Sequence, residues 1–172
     1  MKTVVSLIIL FSAIFCSAQV VAECSANRNV DIVITKPDSL YTDHGDGTVT
    51  DSASGLMWQK CSLGQSGNNC IGTALVFTWQ AALAAANINA DSGYTDWRLP
   101  NKNELASLLE DACFNPAINT SIFPSTVADH YWSSSPYALN SLRAWDIYFY
   151  YGHVYYDVKS DSNYVRLVRG SP

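Results

Sequence analysis

Apolar and polar residues alternate with a period of two along the last third of the chain. Trp145, Ile147 and Phe149 fall on one side, and Asp146, Tyr148 and Tyr150 on the other, the pattern of a strand with one buried face. Tyr151-Gly152 interrupts it as a turn. The alternation then resumes with Val154, Tyr156 and Val158 inward and His153, Tyr155 and Asp157 outward, which predicts a hairpin. Tyr131-Trp132-Ser133-Ser134 reads as a strand before it, and Val165-Arg166-Leu167-Val168-Arg169 as a last strand suited to the middle of the sheet. Upstream, Gly45-Asp46-Gly47 carries turn chemistry for a hairpin within residues 41–51. Ser54-Gly55 closes another turn before an arm at residues 55–59, and residues 31–35 read as extended.

The period changes to that of a helix over residues 78–88, where Trp79, Leu83 and Ala86 share a stripe. A second helix is predicted after Trp97-Arg98-Leu99-Pro100. Asn101 is placed to cap it and Glu104 to reach back and close a capping box, with Leu105, Leu108 and Leu109 facing inward and Arg98 held by Glu104 or Asp96. Residues 114–128 are rich in Pro, Asn, Ser and Thr and read as an irregular surface excursion anchored by Ile118, Ile122 and Phe123. Trp58, Trp79, Trp97, Trp132 and Trp145 each sit in an apolar alternation or stripe and are expected in the core. The expected architecture is one α+β domain, with two helices packed on a twisted antiparallel sheet whose C-terminal strands present the site.

Composition singles out those strands. Of the residues in 140–164, fifteen are Tyr, Asp, Ser, Asn or His, more polar aromatic surface than folding requires. Tyr supplies stiff amphipathic contact area and Ser, Asn and Asp supply adaptable hydrogen bonds, so the mix reads as a recognition surface. The candidate ligand-binding residues are Asn140, Arg143, Asp146, Tyr148, Tyr150, Tyr151, His153, Tyr155, Tyr156, Asp157, Ser160, Asp161, Ser162 and Asn163.

The N-terminus sets the compartment. Met1-Lys2 followed by an apolar run ending near Ala18 or Ala22 predicts a signal peptide over residues 1–22, too short to span a membrane. Phe15 before Cys16 and Glu23 before Cys24 lack the small residue of a lipoprotein signal. Residues 23–172 then form a single ligand-binding domain, exported to the periplasm, the medium or the outer surface. The formal net charge of −5 becomes one unit more negative without Lys2, which argues against nucleic acid as partner. Removing the signal leaves Cys24, Cys61, Cys70 and Cys113, an even number in an oxidising compartment. Of the three pairings, Cys61 with Cys70 is preferred because a short Gly/Ser/Asn-rich loop joins them, and Cys24 with Cys113 follows as the remainder.

Catalysis is not expected. His44, His130 and His153 are the three histidines, no Gly-x-Ser-x-Gly elbow is present, and paired cysteines leave no thiol nucleophile. Asp43, Asp46 and Asp51 lack the bidentate Glu that ends an EF-hand loop, so no metal and no cofactor are expected either.

Gly47-Thr-Val-Thr-Asp51, Gly55-Leu-Met-Trp58, Asp96-Trp-Arg-Leu-Pro-Asn101, Tyr131-Trp-Ser-Ser-Ser135, Ala144-Trp145 and Val165-Arg-Leu-Val-Arg-Gly170 occur in an order that resembles the family named after the C-terminal domain of the Legionella collagen-like adhesin. The resemblance implies an exported bacterial ligand-binding domain with a fold similar to C-type lectins and to formylglycine-generating enzymes. The C-terminal part is also similar to the variable region of target proteins of diversity-generating retroelements. In those systems adenines of AAY codons are replaced at random, a process that never yields Lys, Glu, Gln, Met or Trp. Within residues 140–164 Trp145 and Lys159 alone belong to that excluded set. The resemblance therefore implies a diversified surface that binds a protein or cell-surface ligand, on a cell or phage. The alternative is a fixed-specificity adhesin or lectin for a glycan. A polyanionic glycan would meet Arg143, Lys159 and His153 against Asp146, Asp157 and Asp161, and the Glu-Pro-Asn motif of C-type lectins is missing.

Overall fold

A computed structural model of the chain describes Cys24 and residues 27–170; the expected signal peptide lies outside them. Strands β1 (Tyr41–Asp43) and β2 (Thr48–Asp51) form the first hairpin around Gly45 and Gly47, both at positive φ. The acidic side chains there do turn work: Asp43 Oδ1 accepts from the Gly45 N–H and Asp46 Oδ1 from the Thr48 N–H, each at 2.9 Å. After the second turn β3 (Leu56–Gln59) pairs with β2. A short β4 (Val76–Phe77) leads into α1 (Trp79–Asn87), whose first turn is capped by the Thr78 hydroxyl. Helix α2 (Lys102–Ala106) begins with the expected capping box. Asn101 Oδ1 accepts from the Asn103 and Glu104 N–H groups, and Glu104 Oε2 accepts from the Asn101 N–H at 2.7 Å. The same carboxylate takes both terminal nitrogens of Arg98 at 2.7 Å, while Asp96 instead pairs with Arg169.

The remaining strands are β5 (His130–Pro136), β6 (Arg143–Tyr148), β7 (His153–Val158), β8 (Asn163–Tyr164) and β9 (Val168–Gly170). The α+β class and the two helices are as expected, but the single sheet becomes two, ordered β1-β2-β3-β9 and β4-β8-β5-β6-β7. The second sheet contains one parallel contact, between β5 and β8. The last strand is also corrected. Val165, Arg166 and Leu167 lie between β8 and β9, carrying the chain from one sheet to the other, and β9 pairs with β3 at the edge of its sheet. Residues 31–35 form no strand. The end of this stretch is held by the buried Glu110, whose carboxylate accepts from the N–H groups of Thr35 and of Lys36 just after it.

The β5–β6 pair lies between two apolar clusters. Tyr131, Ile147 and Phe149 pack with Leu105 and Leu108 from α2 and the turn after it, together with Ile118 and Phe123. Trp132 and Ala144 point the other way, toward Ala82 and Ala86 of α1, with Trp97, Leu99, Val165 and Leu167. Arg166 is fully buried and donates to the Gln59 and Lys60 carbonyls and to Thr126 Oγ1. Hydrogen bonding of this kind makes a buried guanidinium tolerable, although burial lowers its pKa. Both expected disulfides are present. Cys24–Cys113 and Cys61–Cys70 have Cα separations of 5.4 and 5.1 Å, within the range a cystine spans.

Candidate functional site

The candidate residues gather on the β6–β7 hairpin. Its register sets Tyr148 opposite His153, Asp146 opposite Tyr155 and Ala144 opposite Asp157. On the other side of β6, Tyr148 lies opposite His130 of β5. One face of three adjacent strands thus carries His130, Tyr148, Asp146, His153, Tyr155 and Asp157. The opposite face carries Arg143, Trp145 and Tyr156.

The turn end is an aromatic assembly. The His130 ring stacks on Tyr148 with centroids 4.3 Å apart and meets Tyr155 edge-on at 5.6 Å. Tyr148 contacts Tyr150 and Tyr151, and Tyr151 lies 5.8 Å from His153. Such offset and edge-on pairs are favourable beyond their buried area. The backbone beneath them is fixed from outside the hairpin. The Phe149 and Tyr150 carbonyls accept from the Ala117 and Asn115 N–H groups at 2.6 and 2.8 Å, and the Phe149 N–H donates to the Asp129 carbonyl. Gly152 closes the turn at φ 73°, where an added Cβ would lie 3.3 Å from the Ala117 Cβ, a position suited to glycine on both counts. Tyr151 and Tyr155 remain 60% and 51% exposed, so the assembly keeps rings open to solvent.

The other candidates fall elsewhere. Tyr156 stacks on Tyr137 at 4.2 Å and meets Trp145 edge-on, with the Arg143 guanidinium 5.2 Å above its ring. Asn140 caps its own turn by accepting from the Leu142 N–H. It sits with exposed Ser160, Asp161 and Ser162 at the far end of the hairpin, a strand length of six residues, about 20 Å, from Tyr151. Asn163 is a correction: it lies buried in β8 opposite Phe77, because the chain turns inward there to reach β5. Val154 was expected inward, yet is 44% exposed on the edge strand β7.

Asp146 is the larger correction. Alternation placed it outward, but it is 0% exposed, since the outer face of β6 is covered in its turn. Its Oδ1 sits 2.6 Å from His130 Nδ1. The Asp146 contact raises the His130 pKa, and burial raises that of Asp146 itself, with Asp157 adding repulsion. Both shifts favour keeping a proton between the two groups. Asp157 is half-buried beside them, and one oxygen or nitrogen from each of His130, Asp146 and Asp157 lies within 4.8 Å of the others. His130 was absent from the sequence-derived site. Nothing local marks it; the β5–β6 register brings it in.

Residues 47–169 match the model of the Lcl C-terminal domain. No curated protein matches the chain.

Proposed function

The chain belongs to the Lcl C-terminal domain family, and from that premise we propose that it is an exported ligand-binding protein whose β6–β7 hairpin recognises a protein or cell-surface ligand. The observation that carries this reading is the turn end of the hairpin. Tyr148, Tyr150, Tyr151, His153 and Tyr155 stand in a chain of ring contacts with His130 on a backbone tied to residues 115 and 117. Rigid aromatic anchors of this type dominate binding energy because little side-chain freedom is lost on contact. The two disulfides suit an oxidising, external compartment. Among the described residues no helix is long and apolar enough to cross a membrane. We read the two-sheet α+β arrangement as C-type-lectin-like, and residues 23–172 as one domain behind a cleaved signal. We assign no catalytic role; Cys24, Cys61, Cys70 and Cys113 are paired in disulfides and so supply no thiolate nucleophile.

Diversification by a retroelement is the proposed source of the surface. Trp145 and Lys159, the residues its codons never produce, both make framework contacts. Lys102 Nζ lies 4.5 Å from the Trp145 ring, and Lys159 Nζ donates to the Ser141 carbonyl and lies 4.2 Å from the Trp79 ring. A neighbouring reverse transcriptase gene and a near-copy of the segment encoding residues 140–164, differing at adenines, would support this origin. Intact flanking DNA without them would favour the second reading, a fixed-specificity adhesin for a glycan, which the open Tyr151 and Tyr155 rings suit as stacking platforms.

The binding test applies the disulfide-intact protein to intact bacteria, phage particles and a glycan array. Tyr151→Ala and Tyr155→Ala should each weaken the strongest interaction by about 2 kcal/mol, roughly 30-fold. Undiminished binding by both variants would move the site off this hairpin.

A further inference from the structure

Asp146 carries an unexplained oxygen. Its Oδ1 is occupied by His130, whereas Oδ2 is buried without a hydrogen-bond partner among the described residues. An orphaned buried carboxylate oxygen is costly and calls for a missing partner. A second carboxylate, Asp157, stands beside it with one oxygen turned to its neighbour's Val158 N–H. Two acidic groups half-buried or wholly buried around one imidazole leave the cluster negative, and burial strengthens the repulsion between them.

We propose that His130, Asp146 and Asp157 bind a divalent transition-metal ion of the zinc or manganese class. The three donors come from three neighbouring strands: the first residue of β5, the centre of β6 and the penultimate residue of β7. Strand alternation puts all three on one face, and adjacent strands about 4.8 Å apart bring them within reach of one ion. Their ligand atoms already lie within 4.8 Å of one another. Donors bonded to one tetrahedral ion at about 2.0–2.2 Å stand about 3.4 Å apart, so binding would open the 2.6 Å His130–Asp146 contact and draw the wider pairs together by side-chain rotation. One nitrogen and two carboxylate groups suit a first-row ion better than calcium, which takes six to eight oxygen donors. Neutral His130 with two carboxylates supplies two negative charges, which a dication balances.

Three protein ligands leave coordination positions open. His130 keeps 24% of its side chain exposed, and its ring is flanked by Tyr148 and Tyr155, so those positions face the aromatic assembly. The inference is independent of the ligand-binding reading, because the ion alone is the probe.

The test uses disulfide-intact protein stripped with chelator and titrated with ZnCl2 and MnCl2, by calorimetry and by thermal melting. One of the two ions should bind at one per chain and raise Tm by about 5–10 °C at roughly a hundredfold excess over Kd. Asp157→Asn should weaken binding at least tenfold with little change in the metal-free melt. His130→Gln should weaken binding as well, read against its own metal-free melt, because it also removes the partner of buried Asp146. Asp161→Asn, which removes the same charge from an exposed site nearby, should bind as the parent does. No heat and no rise in Tm with either ion up to about 1 mM would overturn the proposal. So would binding that survives both Asp157→Asn and His130→Gln, since that would locate the ion at surface groups such as His44 or His153.

Discussion

β6 and β7 are two arms of one hairpin, written with the same alternation, and they meet opposite environments. Ala144, Asp146 and Ile147 in β6 are wholly buried, whereas His153, Val154 and Tyr155 in β7 are exposed. The difference comes from outside the hairpin. β6 has a strand on each side and an apolar cluster over each face, while β7 is the edge of the sheet. Alternation therefore reports which side chains share a face, and neighbouring elements decide whether that face is covered. Stability should reside in one arm and recognition in the other.

The strongest way to break that contrast is to truncate the buried arm. Ile147→Ala should cost about 2–5 kcal/mol and Phe149→Ala about 3–5 kcal/mol, from lost burial and the cavity left behind. Urea unfolding checks this, and a loss below about 1 kcal/mol at both positions would mean that β6 is no more core than β7. A smaller effect is expected where the arms join. Gly152→Ala forces a side chain into the left-handed region against Ala117, at about 1–3 kcal/mol. Its binding should fall with its stability, since the turn carries Tyr150 and Tyr151.

Smaller again is the ion pair at the start of α2, which supports the β6 side. Arg98 holds the Glu104 carboxyl below its ordinary pKa. A depressed carboxylate pKa stabilises the fold above the unfolded value, near 4.3, and that contribution disappears as pH falls through the folded value. Arg98 is substantially exposed, so the pair contributes under about 1 kcal/mol. The Tm gap between the parent and Glu104→Gln should be present at neutral pH, narrow as pH falls below about 4.3, and close once pH passes the folded value. A gap that persisted in strong acid would assign the effect to the capping hydrogen bond instead.

What could be read from sequence was local. The capping box needs four consecutive residues, Asn101 to Glu104. The Cys61–Cys70 pairing needs one short loop, and the β6–β7 turn needs Gly152 between two alternating runs. What escaped was set by register and layering. His130 enters the site through pairing with Tyr148 of a strand eighteen positions on. Asp146 looked outward because nothing in its own segment announces that the outer face of β6 is covered. Val165 to Leu167 looked like a central strand because an apolar run that crosses between two sheets has the same composition as one that lies within a sheet. Of the candidate site, the turn tyrosines, His153, Asp146 and Asp157 could be named from the sequence, whereas His130 and its meeting with the two carboxylates could not.

The central claim is that recognition can be removed from β7 without touching the fold. The most direct measurement pairs a thermal melt with cell-surface binding for Tyr155→Ala, beside Ile147→Ala as reference. Tyr155→Ala should change stability by no more than about 0.5 kcal/mol while losing about 2 kcal/mol of affinity. A Tyr155→Ala protein that unfolds as readily as Ile147→Ala, or that binds as the parent does, would contradict it.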